Sequence, residues 1–190
     1  MEVTIIVDSA YLVGENPLWN HAEQKLYWTD ILGQSVYRID PVTKHVETVF
    51  EGKTVGGFTF QADGSLLFFM GQGMIATLRD KQLEIIHESL PDEIESRFND
   101  VIADPEGRVF CGTMPSPNHS ASLYLLETDG SITKVIEGIG ISNGLGFSPD
   151  LKSLYYVDTP TQRIDIFDYD RPSGKITNRR TFADTSTEPG

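Results

Sequence analysis

A single cysteine, Cys111, leaves no disulfide framework and no cysteine-rich zinc site to build. The four histidines, His21, His45, His87 and His119, share no close spacing, and none of them follows Ser142. Basic residues are scarce, 15 Lys and Arg against 28 Asp and Glu, and the formal charge is −13. Nucleic-acid backbones and anionic membrane surfaces are bound through clustered cations, so neither is expected as a partner. No run approaches the roughly 20 apolar residues of a membrane span. The start, Met1 to Asp8, lacks the basic flank and long apolar run of a secretory signal. A cytoplasmic chain is the expectation. Sustained helical periodicity is also missing.

What is present is an ordinary globular composition, 39% hydrophobic and 10% aromatic over 190 residues, enough for a well-buried core. It is arranged as a repeat. Turn residues Asn20, Gln61, Asp104 and Ser148 are each followed by an apolar strand, Leu26–Trp28, Leu66–Phe69, Val109–Cys111 and Leu154–Val157. Second strands follow at 35–39, 74–78, 122–126 and 163–167. Turns at Asp40–Thr43, Asp129–Gly130 and Asp170–Gly174 then lead into 46–50, 133–136 and 179–182. Short strands rich in Val, Ile, Phe and Tyr between Asp-Gly and Pro-containing turns are hairpin chemistry. Four-stranded units recurring about every 40 to 45 residues predict propeller blades. Four are expected, over 12–52, 56–90, 97–137 and 141–184, within one domain. The segment 1–10, with its alternating Val3 to Val7, is expected to be a closing strand of a last blade.

The repeat isolates one position. Five residues before each of the four turn residues stand Glu15, Gly56, Asn99 and Asn143. In a propeller the innermost strand of every blade lines the central channel, so these positions converge on one channel mouth. A carboxylate with amide oxygens is a hard donor set, suited to calcium, magnesium or manganese. The bland alternatives are that Asn143–Gly144 is a turn signal and that Glu15-Asn16-Pro17 caps a loop. Arg97 adds a planar cation two residues before Asn99, with a rim ion pair to Asp100 or Glu95 as its alternative.

Gly140-Ile141-Ser142-Asn143-Gly144 also spells G-x-S-x-G. A nucleophile elbow needs a helix after it and a downstream histidine, and this stretch has neither. Asp168 to Gly174 departs from the calcium-loop template in the place of its glycine and in Arg179 at the twelfth position. Tyr27-Trp28-Thr29-Asp30, a pattern of ligand-binding receptor propellers, does not recur in the equivalent strands.

Gly14 to Trp19, Arg97 to Asp100, Cys111 to Met114, Ile141 to Leu145 and Phe167 to Asp170 together resemble the regucalcin and gluconolactonase family, in the family's order and at similar spacing. The resemblance implies a six-bladed, all-β propeller, of which about four blades are present here. It also implies a sugar lactonase with one divalent cation, calcium or zinc, at the channel mouth. Carried onto this sequence, it implies Glu15 and Asn143 as metal ligands and Arg97 and Asn99 as substrate-binding residues, Asn99 also touching metal-bound water. The family's remaining ligand and general base, an Asp in a Pro-Asp-Gly stretch opening the fifth blade, has no counterpart before Gly190. The expectation is therefore hydrolysis of a small sugar lactone to the aldonic acid. The alternatives are a calcium- or ligand-binding propeller without turnover, or an inactive fragment.

Overall fold

The computed structural model describes residues 4–186. Sixteen strands form four antiparallel sheets, each a meander of four strands in chain order. The first sheet runs β1 (Gly14–Asn20), β2 (Lys25–Asp30), β3 (Ser35–Ile39) and β4 (Val46–Glu51). The second is β5 (Val55–Phe60), β6 (Leu66–Met70), β7 (Ile75–Arg79) and β8 (Gln82–His87). The third is β9 (Phe98–Ala103), β10 (Val109–Thr113), β11 (Ala121–Leu126) and β12 (Ile132–Ile139). The fourth is β13 (Ser142–Phe147), β14 (Ser153–Asp158), β15 (Arg163–Asp170) and β16 (Lys175–Asp184). The inner strands adjoin in turn, β1 to β5, β5 to β9 and β9 to β13, as blades around a channel. The only helical elements among the described residues are single turns at Pro91–Glu93 and Thr159–Thr161.

The core lies between the blades. Tyr27, Val36, Phe58, Phe68 and Met70 pack the first blade on the second, and Phe69, Phe98, Val101, Cys111 and Tyr124 the second on the third. Phe110, Leu123, Leu154, Tyr156 and Phe167 pack the third on the fourth. Alternate residues of a strand point to opposite faces, which is why Phe68 and Phe69 serve different interfaces. Strands β6, β10 and β11 are buried at every position, whereas β14 alternates buried with half-buried residues. A sheet covered on both faces reads as a continuous apolar run, and one covered on a single face alternates.

Two local features depart from the pattern read in the sequence. Strand β8 is entered through Asp80 and Lys81, both at positive φ (48° and 65°), a tight reversal made without glycine and so without its usual signal. Residues 4–10 form no strand, because they meet no sheet edge to pair with. Val3, the first residue of the strand expected over 3–7, lies outside the described residues, as do residues 187–190.

Candidate functional site at the channel mouth

The repeat position occupies the same place in every blade. Glu15, Gly56, Asn99 and Asn143 are each the second residue of their inner strand. At each one the pairing to the next strand slips: between Glu15 and Leu18, at Gly56, between Phe98 and Val101, and between Asn143 and Gly146. Such bulges re-aim side chains at the rims of barrels and sheets. The four positions line one small concavity, together with Asn16 and Asp100.

Gly56 brings no side chain because none would fit. A Cβ there would lie 1.9 Å from the Phe98 carbonyl oxygen of the neighbouring inner strand. The polar contributions therefore come from the first, third and fourth blades. Glu15 is exposed, and Asn99 and Asn143 are half-buried. Asn99 is held at both ends: its Nδ2 donates to the Ser142 carbonyl at 2.9 Å, and its Oδ1 accepts from Arg97 Nη1 at 2.8 Å. Asn143 is held loosely, its Oδ1 accepting from the Gly144 amide at 3.2 Å and its Nδ2 lying 3.4 Å from Thr159 Oγ1. Its carbonyl oxygen thus keeps an uncommitted lone pair at the concavity.

Arg97 stands behind Asn99, facing an adjoining groove with Thr54, Ser96 and Met114. It donates to Asn99 and to the Phe98 carbonyl, at 2.8 and 2.9 Å. The alternative ion pairs do not form. Glu95 accepts from Asn118 Nδ2, and Asp100 accepts backbone amides. Burial lowers the Arg97 pKa below its ordinary value, with the charge of Glu15 opposing that shift.

Residues 13–190 match the family described as SMP-30/Gluconolactonase/LRE-like region. The chain belongs to this family. It is 40% identical over 190 residues to the pentonolactonase XacC of Haloferax volcanii, covering 100% of this chain and 65% of that protein. It is 34% identical to the regucalcin of Xenopus laevis over 198 residues, covering 100% of this chain and 66% of the relative. Among solved structures, a luciferin-regenerating enzyme superposes with a TM-score of 0.86 at 30% identity, over 95% of this chain and 64% of that one. The chain thus spans about two thirds of the length of the relatives it matches.

Two residues of this SMP-30/gluconolactonase-like site escaped the repeat reading, Asn16 and Asp100. Each directly follows a repeat residue, and strict alternation would turn it to the opposite face; the bulge brings both neighbours to the same mouth. Asn16 accepts the Phe58 amide of the second blade at 2.6 Å. Asp100 accepts the amides of Val101 and, across to the fourth blade, Leu145, at 2.9 and 3.2 Å. Burial raises the Asp100 pKa above the usual carboxylate value; the two amides offset part of the shift, and nearby Glu15 adds to it.

The motif readings are decided by burial. Ser142 is 0% exposed and sits under Gly112, where a Cβ would lie 1.9 Å from its Oγ, so it is not a nucleophile open to substrate. Cys111 is likewise fully buried, and burial pushes its thiol well up. His21, His45 and His119 are exposed, and His87 Nε2 meets the Gly130 carbonyl at 2.7 Å. Among the described residues no three His, Cys, Asp or Glu side chains gather as a metal site, and no helix is long and apolar enough to cross a membrane. A cation at this mouth would be held by one carboxylate and amide oxygens. That is a fit for a hard ion, since Glu15 is exposed and the Asn143 oxygen has only a long backbone contact.

Proposed function

We propose that this chain holds the cation- and substrate-binding residues of a divalent-cation-dependent sugar lactonase, which opens a cyclic ester with water to give the aldonic acid. The observation that carries the proposal is the convergence of Glu15, Asn99 and Asn143, from three separate inner strands, on one concavity. The naming of a 40%-identical relative as a pentonolactonase supports the substrate class.

Glu15 and Asn143 Oδ1 are the cation ligands in this reading. Calcium fits the hard oxygens, magnesium and manganese share that chemistry, and zinc is the family's other ion. When bound, a divalent cation supplies polarisation of the ester carbonyl and a more acidic water. Arg97 and Asn99 orient the sugar: the guanidinium, anchored on Asn99 and the Phe98 carbonyl, presents its remaining donors in a fixed plane. Asn99 keeps one amide hydrogen and one lone pair beyond its contacts with Arg97 and Ser142. The proton acceptor is assigned to the Asp that the family resemblance implies in a fifth blade, outside these 190 residues.

A second reading, binding of calcium or a sugar ligand without turnover, is favoured for this chain by one observation. Asp100, the half-buried carboxylate at the mouth, has both oxygens engaged by amides, which leaves it poorly placed to take a proton from water. Calorimetric titration with calcium, paired with turnover of a panel of aldonolactones, separates the readings. Glu15→Gln and Asn143→Ala should each weaken calcium binding at least about tenfold, a lower bound set by loss of one ligand of few. Unchanged calcium affinity in both variants would sink the ligand assignment. Calcium binding without hydrolysis of any lactone would establish the second reading.

A further inference from the structure

One backbone contact recurs in all four blades. The residue two places before the repeat position accepts an amide proton from the loop that leaves the second strand: Ile31 to Val13, Gly71 to Thr54, Met114 to Arg97 and Thr159 to Ile141. Two blades add a carboxylate to this contact. Asp30, ending β2, accepts the Leu12 amide on Oδ2 at 3.0 Å, and the Val13 and Gly33 amides on Oδ1 at 2.9 and 3.0 Å. Asp158, ending β14, accepts the Gly140 and Ile141 amides on Oδ1 at 3.1 and 2.9 Å, with Oδ2 also 3.1 Å from the Gly140 nitrogen. Leu12 and Val13 stand three and two places before Glu15, and Gly140 and Ile141 stand three and two before Asn143. The register is identical.

The other two blades lack the clamp. Met70 and Thr113 occupy the equivalent places, paired with Val55 and Phe98 as Asp30 is with Gly14 and Asp158 with Ser142. A carboxylate is therefore found only in the blades that carry Glu15 and Asn143, and not in those that carry Gly56 and Asn99. Both carboxylates are buried, at 5% and 7% exposure. Glycines make room for them: a Cβ on Gly33 would lie 2.3 Å from Asp30 Oδ2, and one on Gly140 would lie 3.0 Å from Asp158 Oδ1. General fold stability would call for the same device in every blade, and the device follows the ligand positions instead.

We infer that Asp30 and Asp158 are positioning residues for the cation ligands, each fixing the peptide that leads into the bulge from which Glu15 or Asn143 is presented. The inference rests on the ligand reading given above. Two amides locked by one buried carboxylate set the direction of the chain just before the bulge, and the bulge sets where the ligand oxygen points. Residues that orient metal ligands in this way typically alter affinity by about 10- to 100-fold when removed.

The chemistry distinguishes the two clamps. Asp158 Oδ1 reaches both lead-in amides, so an asparagine oxygen can hold both and gives up only the shared second contact of Oδ2 to Gly140. Asp30 divides Leu12 and Val13 between its two oxygens, so an asparagine would turn its NH2 toward one of them. The test is calcium titration of Asp158→Ala, Asp158→Asn and Asp30→Asn in the 190-residue chain, well below the unfolding temperature. Tyr169→Phe serves as a destabilised control; it removes a buried contact at the opposite end of the blade interface. Asp158→Ala should weaken calcium binding about 10- to 100-fold, Asp158→Asn should restore it to within about threefold, and Asp30→Asn should not be restored. The control should bind as the parent does. If Asp158→Ala keeps the parent's affinity, or loses no more than the control, the inference is wrong.

A second arm needs no ion. Deuterium exchange of residues 140–145 in the metal-free chain should quicken in Asp158→Ala and stay parental in Asp158→Asn, while the third blade is unchanged. Unaltered exchange there overturns the clamp. If the parent takes up neither calcium nor zinc, the ligand reading falls by itself, and the exchange result still decides whether Asp158 holds the lead-in peptide. Asp158→Ser replaces the alanine variant should the latter fail to fold.

Discussion

Replacing Tyr169 with phenylalanine tests how the third and fourth blades are joined at the end of the inner strand away from the mouth. The Tyr169 hydroxyl donates to Asp104 Oδ2 at 2.7 Å and accepts from Arg108 Nη2 at 3.2 Å. All three residues are 5% exposed. Burial pushes the phenol up to about 12, with the Asp104 carboxylate adding to the shift, so it stays a protonated donor throughout the neutral range. The ring itself packs on Phe147 with centroids 4.7 Å apart, a contact that phenylalanine keeps. Asp104 keeps Arg108 Nε and the amides of Glu106 and Arg108, and Arg108 keeps the Arg171 and Pro172 carbonyls. Two hydrogen bonds to buried charges are lost, a short one to Asp104 and a longer one from Arg108, and no charge is stranded, which sets the cost near 2 kcal/mol. With a urea slope of roughly 2 kcal/mol/M, the midpoint should fall by about 1 M at an unchanged slope. Arg108→Met should cost more, about 3–5 kcal/mol, because it strands the Asp104 carboxylate. A Tyr169→Phe midpoint within about 0.3 M of the parent would show that the hydroxyl contributes little and would refute this account of the joint.

Gly56→Ala should destabilise by about 3 kcal/mol or more, read as a lower thermal midpoint or loss of folded yield, since the clash is with backbone of the next blade and cannot be relieved by a rotamer change. A parental midpoint would mean that the second and third blades can move apart. Burial pushes the Asp30 carboxyl up, but the amides of Val13, Leu12 and Gly33 outweigh it and hold the group below the ordinary carboxylate value. A lowered folded pKa contributes stability that is complete above the unfolded value, near 4, and is lost as pH falls through the folded one. The midpoint of the parent should therefore drop on acidification below about pH 4, and Asp30→Asn should flatten that limb while lying below the parent at neutral pH. Parallel acid limbs would show that other carboxylates dominate.

The blades were legible because a period near 40 residues, marked by turn chemistry and short apolar strands, admits few architectures. Strand β8 was not, because Asp80 and Lys81 reverse the chain without a glycine. The four repeat residues were legible for the same reason as the blades: a fixed offset from a turn is a fixed height on an inner strand. Asn16 and Asp100 were hidden by the assumption of strict alternation, which the bulges break. The clamps were hidden for another reason. Asp30 and Asp158 both stand ten residues after their turn residues, Asn20 and Ser148, but a shared offset does not say which backbone amides each carboxylate reaches.

Sequence alone determined the all-β repeat, the set Glu15, Gly56, Asn99 and Asn143, and the resemblance to lactonases, because each depends on spacing and residue type along the chain. Tertiary structure decided what those residues meet. Asn99 is pinned between Arg97 and the Ser142 carbonyl, Gly56 is bare because the next blade fills its space, and Ser142 is sealed under Gly112. Asn143, where the repeat and the G-x-S-x-G pattern overlap, is presented by a bulge whose lead-in peptide a carboxylate from its own blade holds in place. Apart from the local bond between Arg97 and Asn99, these are contacts between residues 17 to 43 apart in the chain, and no local pattern encodes which backbone amide a distant carboxylate or amide oxygen will reach.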